Sequence, residues 1–345
     1  METTENTEGH GRRSCNFRVL LCFPWFFKFE RRRFAAFQDG SLPTSLWRFG
    51  RRAVTRGAML IRTVLAAATF AALSAASAQA QTPAAQASVM PAPGAADWRT
   101  PSPDDLLVID TNKGRIIVEL VPETAPLYAA RMRELARAKF FDGLTFFRVI
   151  DDFMAQTGDP ENRGTGSSDK PDLAAEFQFR RGPETPFVLA ADQSVAEVGF
   201  IKSVPVTTQS MMLAPMTRDG KVSGYVLYCP GVAGAARGEA ENSANSQFFL
   251  MRAHYPRLER RYSAWGRVIS GQAAVNAIKT GEPVADPQDR MERVRVLSDI
   301  PEAERPKVRV IDPAGPWFKA EIARARAAGG ANFSACDINI PVEVK

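Results

Sequence analysis

The chain has 345 residues and 45% hydrophobic content, enough for one large domain or two ordinary ones around a real core, which excludes a disordered or fibrous protein. Lys and Arg number 44 against 38 Asp and Glu, and the formal charge of +6 invites a nucleic-acid or anionic-membrane partner. Only two histidines occur, His10 and His254, so a multi-histidine metal centre is excluded; the four cysteines, at 15, 22, 229 and 336, have neither a CxxC pair nor zinc spacing.

Residues 1–58 are a Phe- and Arg-rich stretch without helix or strand period, and carry no nameable chemistry. From Met59 follow one arginine (Arg62), an apolar run from Val64 to about Ala76 and the small-residue string Ala78-Gln79-Ala80, the pattern of a secretory signal peptide over 59–80, cleaved before Gln81. The competing reading is a membrane anchor, but the run falls short of the roughly 20 residues a span needs. Residues 1–58 are then a start assigned too early, with Met59 the initiator, or a long leader in which Arg51-Arg52 gives a faint twin-arginine hint. Residues 1–80 hold 12 basic and 5 acidic side chains, which leaves 32 against 33 for 81–345. The excess positive charge belongs to the leader, and a nucleic-acid partner loses its support.

Residues 81–103 are Pro- and Ala-rich and read as a flexible linker. LLVIDT and RIIVEL flank Asn112-Lys113-Gly114, a hairpin around a three-residue turn, and LYAARMRELARAKF has helical spacing. Short β-type runs follow (TFFRVI, PFVLAA, YVLYC, SQFFLMR, YSAWGRVI), with a second helix at GQAAVNAIKTG. The class is mainly β, closed or sandwich-like, in a domain over 104–299. An irregular insertion at about 184–234 and a C-terminal extension over 300–345, with a strand-like KVRVID and an amphipathic WFKAEIARARAA, are additions to it.

No GxSxG, HExxH, Walker A or dinucleotide-binding GxGxxG pattern is present; Gly164-Thr165-Gly166 is a glycine turn, and His254 reads as a solvated loop histidine. The unusual string is FFRVIDDFMAQTGDP, residues 146–160, in which Arg148 stands alone among Phe146, Phe147, Val149, Ile150, Phe153 and Met154. In an alternating strand Arg148 points with Ile150, so its guanidinium is buried or lines a cleft, paired with a core carboxylate or held for a task. NSANSQFFLM, residues 242–251, again sets an amide, Gln247, beside paired aromatics.

At these residues the chain resembles the cyclophilin-type peptidyl-prolyl cis/trans isomerases. NKGRIIVEL with PETAP, FFDGLTFFRVIDDFMAQTGDP, GTGSS, LAAEF, NSANSQFF and YSAWGRV fall in the family's order over residues 105 to about 280, with one long insertion. The resemblance implies a closed eight-stranded antiparallel β-barrel capped by two helices. It places the catalytic arginine on Arg148, the substrate-holding glutamine on Gln156 and the proline pocket on Phe153, Met154, Phe249 and Leu258. Gln247 lines the same groove, with Ala236 and Arg237 as peptide contacts through the altered string GAARGEAEN. Three positions depart from the family: Phe147 replaces a histidine, Arg257 the tryptophan of the cyclosporin-binding loop, and Tyr262 the later histidine of the pocket. Phe147 keeps the pocket apolar, and loss of the indole implies weak cyclosporin sensitivity.

Turning an X-Pro bond makes and breaks no covalent bond, so no metal, nucleophile or cofactor is expected, in keeping with a single histidine after residue 80. The expected partners are proline-containing peptides and folding envelope proteins, acted on in the periplasm by a monomer with no membrane span once the leader is cleaved. The alternative is a non-catalytic proline-peptide holdase using the same groove. Beyond the leader Cys229 and Cys336 remain, in an oxidising compartment either a disulfide joining tail to insertion or two buried free thiols.

Overall fold

The computed structural model describes residues 90–345; the expected leader over 1–58 and signal peptide over 59–80 lie outside the described residues. In chain order the elements are β1 (Trp98–Arg99), β2 (Leu106–Thr111), β3 (Gly114–Leu120), α1 (Pro126–Arg137), β4 (Arg148–Ile150), β5 (Met154–Thr157), β6 (Phe179–Arg181), β7 (Phe187–Gln193), β8 (Ala196–Ile201) and β9 (Val204–Gln209). They continue with β10 (Val222–Val226), β11 (Val232–Ala235), β12 (Phe248–Met251), β13 (Ala264–Ser270), α2 (Gln272–Ala277), β14 (Met291–Val296), β15 (Val308–Ile311), α3 (Pro316–Gly329) and β16 (Val342–Val344). Eight strands form an antiparallel sheet in the order β14-β2-β3-β13-β11-β12-β5-β4, five a second in the order β6-β10-β9-β8-β7, and three a third in the order β1-β15-β16.

The first hairpin pairs Thr111 with Gly114, so its turn is Asn112-Lys113 alone and Gly114, expected as the third turn residue, opens β3 at φ +123°. The Thr111 hydroxyl closes it, donating to the Gly114 carbonyl at 2.7 Å and accepting the Lys113 N–H at 3.0 Å. Helix α1 starts on Pro126, which suits a first turn because its missing N–H has no partner there. The next two free N–H groups, of Leu127 and Tyr128, donate to the Glu176 carboxylate at 2.9 and 3.0 Å. Tyr128, Ala129, Met132 and Leu135 then bury one helical face.

Strand alternation divides the eight-stranded sheet into two faces. Ala155, Phe248 and Leu250 enter a core with Trp265, the α1 face and Ala274 and Val275 of α2. Met154, Phe249 and Met251 turn the other way, into a second cluster with Tyr228, Cys229 and Leu258. The regions beside the outer strands of this sheet also meet: Phe146 donates to Asp289 O at 2.8 Å, Met291 to Leu144 O at 2.9 Å, and Thr145 bridges Arg290.

Two boundaries differ from the sequence reading. The expected linker over 81–103 contains β1, which pairs Trp98 with Ile311 and Arg99 with Val310, while Arg309 stacks 4.8 Å from the Trp98 ring. Its order comes from a partner some two hundred residues away, which local composition cannot register. The added sheet runs from β6 to β10, and residues 232–234, assigned to the insertion, lie outside it in β11, in the middle of the main sheet. In the C-terminal extension, α3 lays Phe318, Ile322 and Ala325 against Ala190, Val198 and Phe200 of the added sheet. Cys229 and Cys336, 107 residues apart, form a disulfide with a Cα separation of 5.2 Å. Among the described residues no helix is long and apolar enough to cross a membrane.

Candidate active site

One register line carries the site. Arg148 on β4 lies opposite Gln156 on β5, Gln156 opposite Phe249 on β12, and Phe249 opposite Gly234 on β11. Opposed residues of an antiparallel sheet share a face, so a cation, an amide, an aromatic ring and a gap follow one another across four strands. Gly234 supplies that gap: a Cβ there would stand 2.5 Å from Phe249 Cζ and 3.0 Å from Tyr228 Cε1.

At the polar end, Arg148 Nη1 donates to Gln156 Oε1 at 3.2 Å, Gln156 Nε2 to Gln247 Oε1 at 3.0 Å, and Gln247 Nε2 to the Gly166 carbonyl at 2.8 Å. A carbonyl only accepts. Gly166 therefore fixes the direction of both amides and turns the Gln156 oxygen toward the guanidinium. The loop leading to Gly166 is held in turn by Asp159, whose carboxylate accepts the N–H groups of Glu161 at 2.8 Å, Arg163 at 2.9 Å, Thr165 at 3.1 Å and Gly164. Burial alone would raise the Asp159 carboxyl, but these backbone donors outweigh it and hold it below the usual carboxylate range. On its other side Arg148 Nε donates to Glu282 Oε1 at 2.6 Å. The Arg148 side chain is 35% exposed and its partner 55%, so it lines a cleft beside a surface carboxylate and not a core one.

The apolar end is built from Met154, Phe249 and Leu258, all buried, with half-buried Phe153, Ala236 and Tyr262 in the same cluster. Phe249 packs 6.0 Å from Tyr228 and edge-on to Tyr262 at 5.9 Å, and Phe153 lies 4.4 Å from Tyr255. The Arg148 guanidinium carbon lies 6.0 Å from the Phe153 ring, so the cation sits at the rim of the apolar cluster. A neighbouring cavity of about 340 Å³ is lined by Gln156, Gly166, Ala236, Arg237, Asn245 and Gln247.

One expected contact residue stands apart. Phe147 is buried against Gly164 and is not in the cluster with Met154 and Phe249. Arg237 lines the cavity beside Gln156 and is also engaged within the protein, its guanidinium 4.7 Å from the Tyr262 ring and its Nε donating to Arg261 O at 3.1 Å. Arg257 and Leu258 share a short turn, Pro256–Leu258, with Arg257 exposed. His254 has its side chain 39% exposed but stands within 4.8 Å of both disulfide sulfurs, and desolvation holds its imidazole below the usual value.

Sequence reasoning missed Gly234, Tyr255 and Glu282. A glycine inside the apolar run VAGA is a signal of close approach by a neighbour, and could have found the first. Nothing local points to Glu282, which is 134 residues from Arg148.

The family model for cyclophilin type peptidyl-prolyl cis-trans isomerase/CLD matches residues 106–298. A probable peptidyl-prolyl cis-trans isomerase of Brucella suis biovar 1 is 32% identical over 232 residues, 64% of this chain and 86% of the relative. The peptidyl-prolyl cis-trans isomerase-like 1 of Homo sapiens is 31% identical over 139 residues, 39% of this chain and 77% of that protein. The crystal structure of cyclophilin AquaCyp293 from Hirschia baltica superposes with a TM-score of 0.66 at 33% identity, covering 72% of this chain and 93% of that one. The mainly β fold has a cyclophilin as its structural neighbour, and the chain belongs to the cyclophilin-type peptidyl-prolyl cis-trans isomerase family. It is an enzyme, a peptidyl-prolyl cis-trans isomerase, and its substrates are proline-containing peptides.

Proposed function

We propose that Arg148 is the catalytic group, that Gln156 holds the peptide backbone, and that the apolar cluster of Phe153, Met154, Phe249 and Leu258 seats the proline ring. Rotation about X-Pro breaks amide resonance against a barrier of about 18–20 kcal/mol and takes on the order of tens of seconds unaided. A guanidinium donating to the prolyl nitrogen is bound more strongly as that nitrogen becomes pyramidal and regains its lone pair. That is stabilisation given to the transition state and withheld from the planar ground state. The observation that carries the reading is the register line from Arg148 through Gln156 to Phe249, which sets a donor beside an apolar seat. Turnover of Ala-Pro peptides by the full chain in a protease-coupled assay tests it, and an uncatalysed rate at micromolar enzyme would overturn it.

The clients in this proposal are folding proteins of the cell envelope, met in the periplasm by a monomer. The signal-peptide pattern over 59–80 supports that compartment, as does a disulfide closing a loop of 107 residues. Sequencing the N-terminus of protein purified from its own cells should give Gln81; a chain retaining residues 59–80 would refute secretion by cleavage. We further propose that the eight-stranded sheet closes into a barrel through the bonds that join residues 144–146 to 289–291. Slow hydrogen exchange at the Phe146 and Met291 amides is expected, and exchange at the rate of an exposed loop would contradict closure.

A further inference from the structure

We infer that Glu282 is a positioning residue for the Arg148 guanidinium, holding Nε so that the remaining nitrogen edge is turned toward the substrate amide. The inference rests on the role proposed above for Arg148.

The segment carrying Glu282 is tied to β4 on both sides of Arg148. Val149 donates to Gly281 O and Gly281 to Val149 O, both at 2.8 Å, and Val284 donates to Phe147 O at 2.9 Å. These three bonds put the Glu282 backbone in fixed register with Arg148, the residue between Phe147 and Val149. Gly281 makes the clip sterically possible. A Cβ at that position would lie 2.6 Å from Val284 Cα and 2.7 Å from Pro283 O, contacts that only backbone displacement could relieve.

The guanidinium is thereby held at two points. Its Nε donates to Glu282 Oε1 at 2.6 Å and its Nη1 to Gln156 Oε1 at 3.2 Å. Because the group is planar and its donors stand in a rigid fork, two fixed donors define the direction of the third. Nη2 takes no acceptor among the described residues. The Gln156 contact alone would leave the guanidinium free to rotate about it, since arginine reaches the cleft through four flexible torsions. An ion pair with a carboxylate 55% exposed adds little to folding stability. Its consequence falls on the orientation of the donor when a peptide is bound.

The test measures kcat and KM separately, by exchange spectroscopy on an Ala-Pro peptide with the full chain. Glu282→Ala should lower kcat by about five-fold with KM unchanged, as expected for a misoriented donor. Glu282→Gln keeps an acceptor for Nε and should stay within about twofold of wild type. In an Arg148→Ala background, Glu282→Ala should have no further effect, because the group it positions is gone. The Arg148 Nε–H resonance should be observable in wild type and in Glu282→Gln, and broadened by solvent exchange in Glu282→Ala. Wild-type kcat in Glu282→Ala would overturn the inference, as would an equal loss in the presence and absence of Arg148, which marks a merely structural clip. If Arg148→Ala itself turns over like wild type, the catalytic reading falls first and this one with it.

Discussion

Replacing Arg148 by alanine should lower kcat/KM on Ala-Pro peptides by about 10²-fold, the lower end of the loss seen when one transition-state donor is removed. The lower end is expected because the side chain is 35% exposed, in a cleft that water reaches. Stability should change little, since the ion pair to Glu282 is open to solvent and the buried residue of β4 is Val149. Arg148→Lys should recover little of the rate. The three donors of an ammonium radiate from one nitrogen and lack the planar fork that spans Gln156 and Glu282 and leaves a further donor for the prolyl nitrogen. A fall in activity matched by a fall in the unfolding midpoint would mean that the variant lost its fold and not its catalyst.

Removing the disulfide should cost about 2–4 kcal/mol, because it closes a loop of 107 residues in the unfolded chain. For a domain of this size that is roughly a 10 °C fall in Tm. The effect should reach the groove as well as the tail. Cys229 is fully buried in the cluster that contains Met154, Phe249 and Leu258, and its neighbour Tyr228 packs 6.0 Å from the Phe249 ring. The Tyr228 carbonyl also accepts the Tyr255 N–H at 3.0 Å, and the Tyr255 ring packs at a tilt against Phe153. Denaturant unfolding of the Cys336→Ser variant, compared with wild type before and after thiol reduction, checks this. Superimposable curves for all three would show that the link contributes nothing.

What the sequence could show was set by how local each signal is. The hairpin, α1, α2, α3 and the strand at Val308–Ile311 are legible because each carries its own apolar period or turn residues within a dozen positions. The alternation that placed Arg148 with Ile150, and set Gln156 near paired aromatics, is likewise a property of a few residues. Contacts made at long range were not legible. β1 lies in a Pro-rich stretch and is ordered by β15 and by the ion pair of Arg99 with Glu119 of β3, and Glu176 reaches back to the start of α1 to cap it. Glu282 meets the guanidinium only after the chain has crossed most of the sheet. The same distance explains the boundary of the insertion. Val232–Ala235 has no pattern that separates it from the added strands, and joins the main sheet because β12 and β13 flank it. The likeness to a family reached the groove residues together, where their individual spacing gave only an arginine in need of a partner.

The most direct test is exchange spectroscopy of an Ala-Pro peptide with the full chain at about one-hundredth of the peptide concentration. Catalysis by Arg148 predicts cis–trans cross-peaks within a second with wild type, since unaided exchange takes tens of seconds, and their loss with Arg148→Ala. Peptide-induced shifts at Gln156 and Phe249 without cross-peaks would contradict it, leaving a groove that captures proline without turning it.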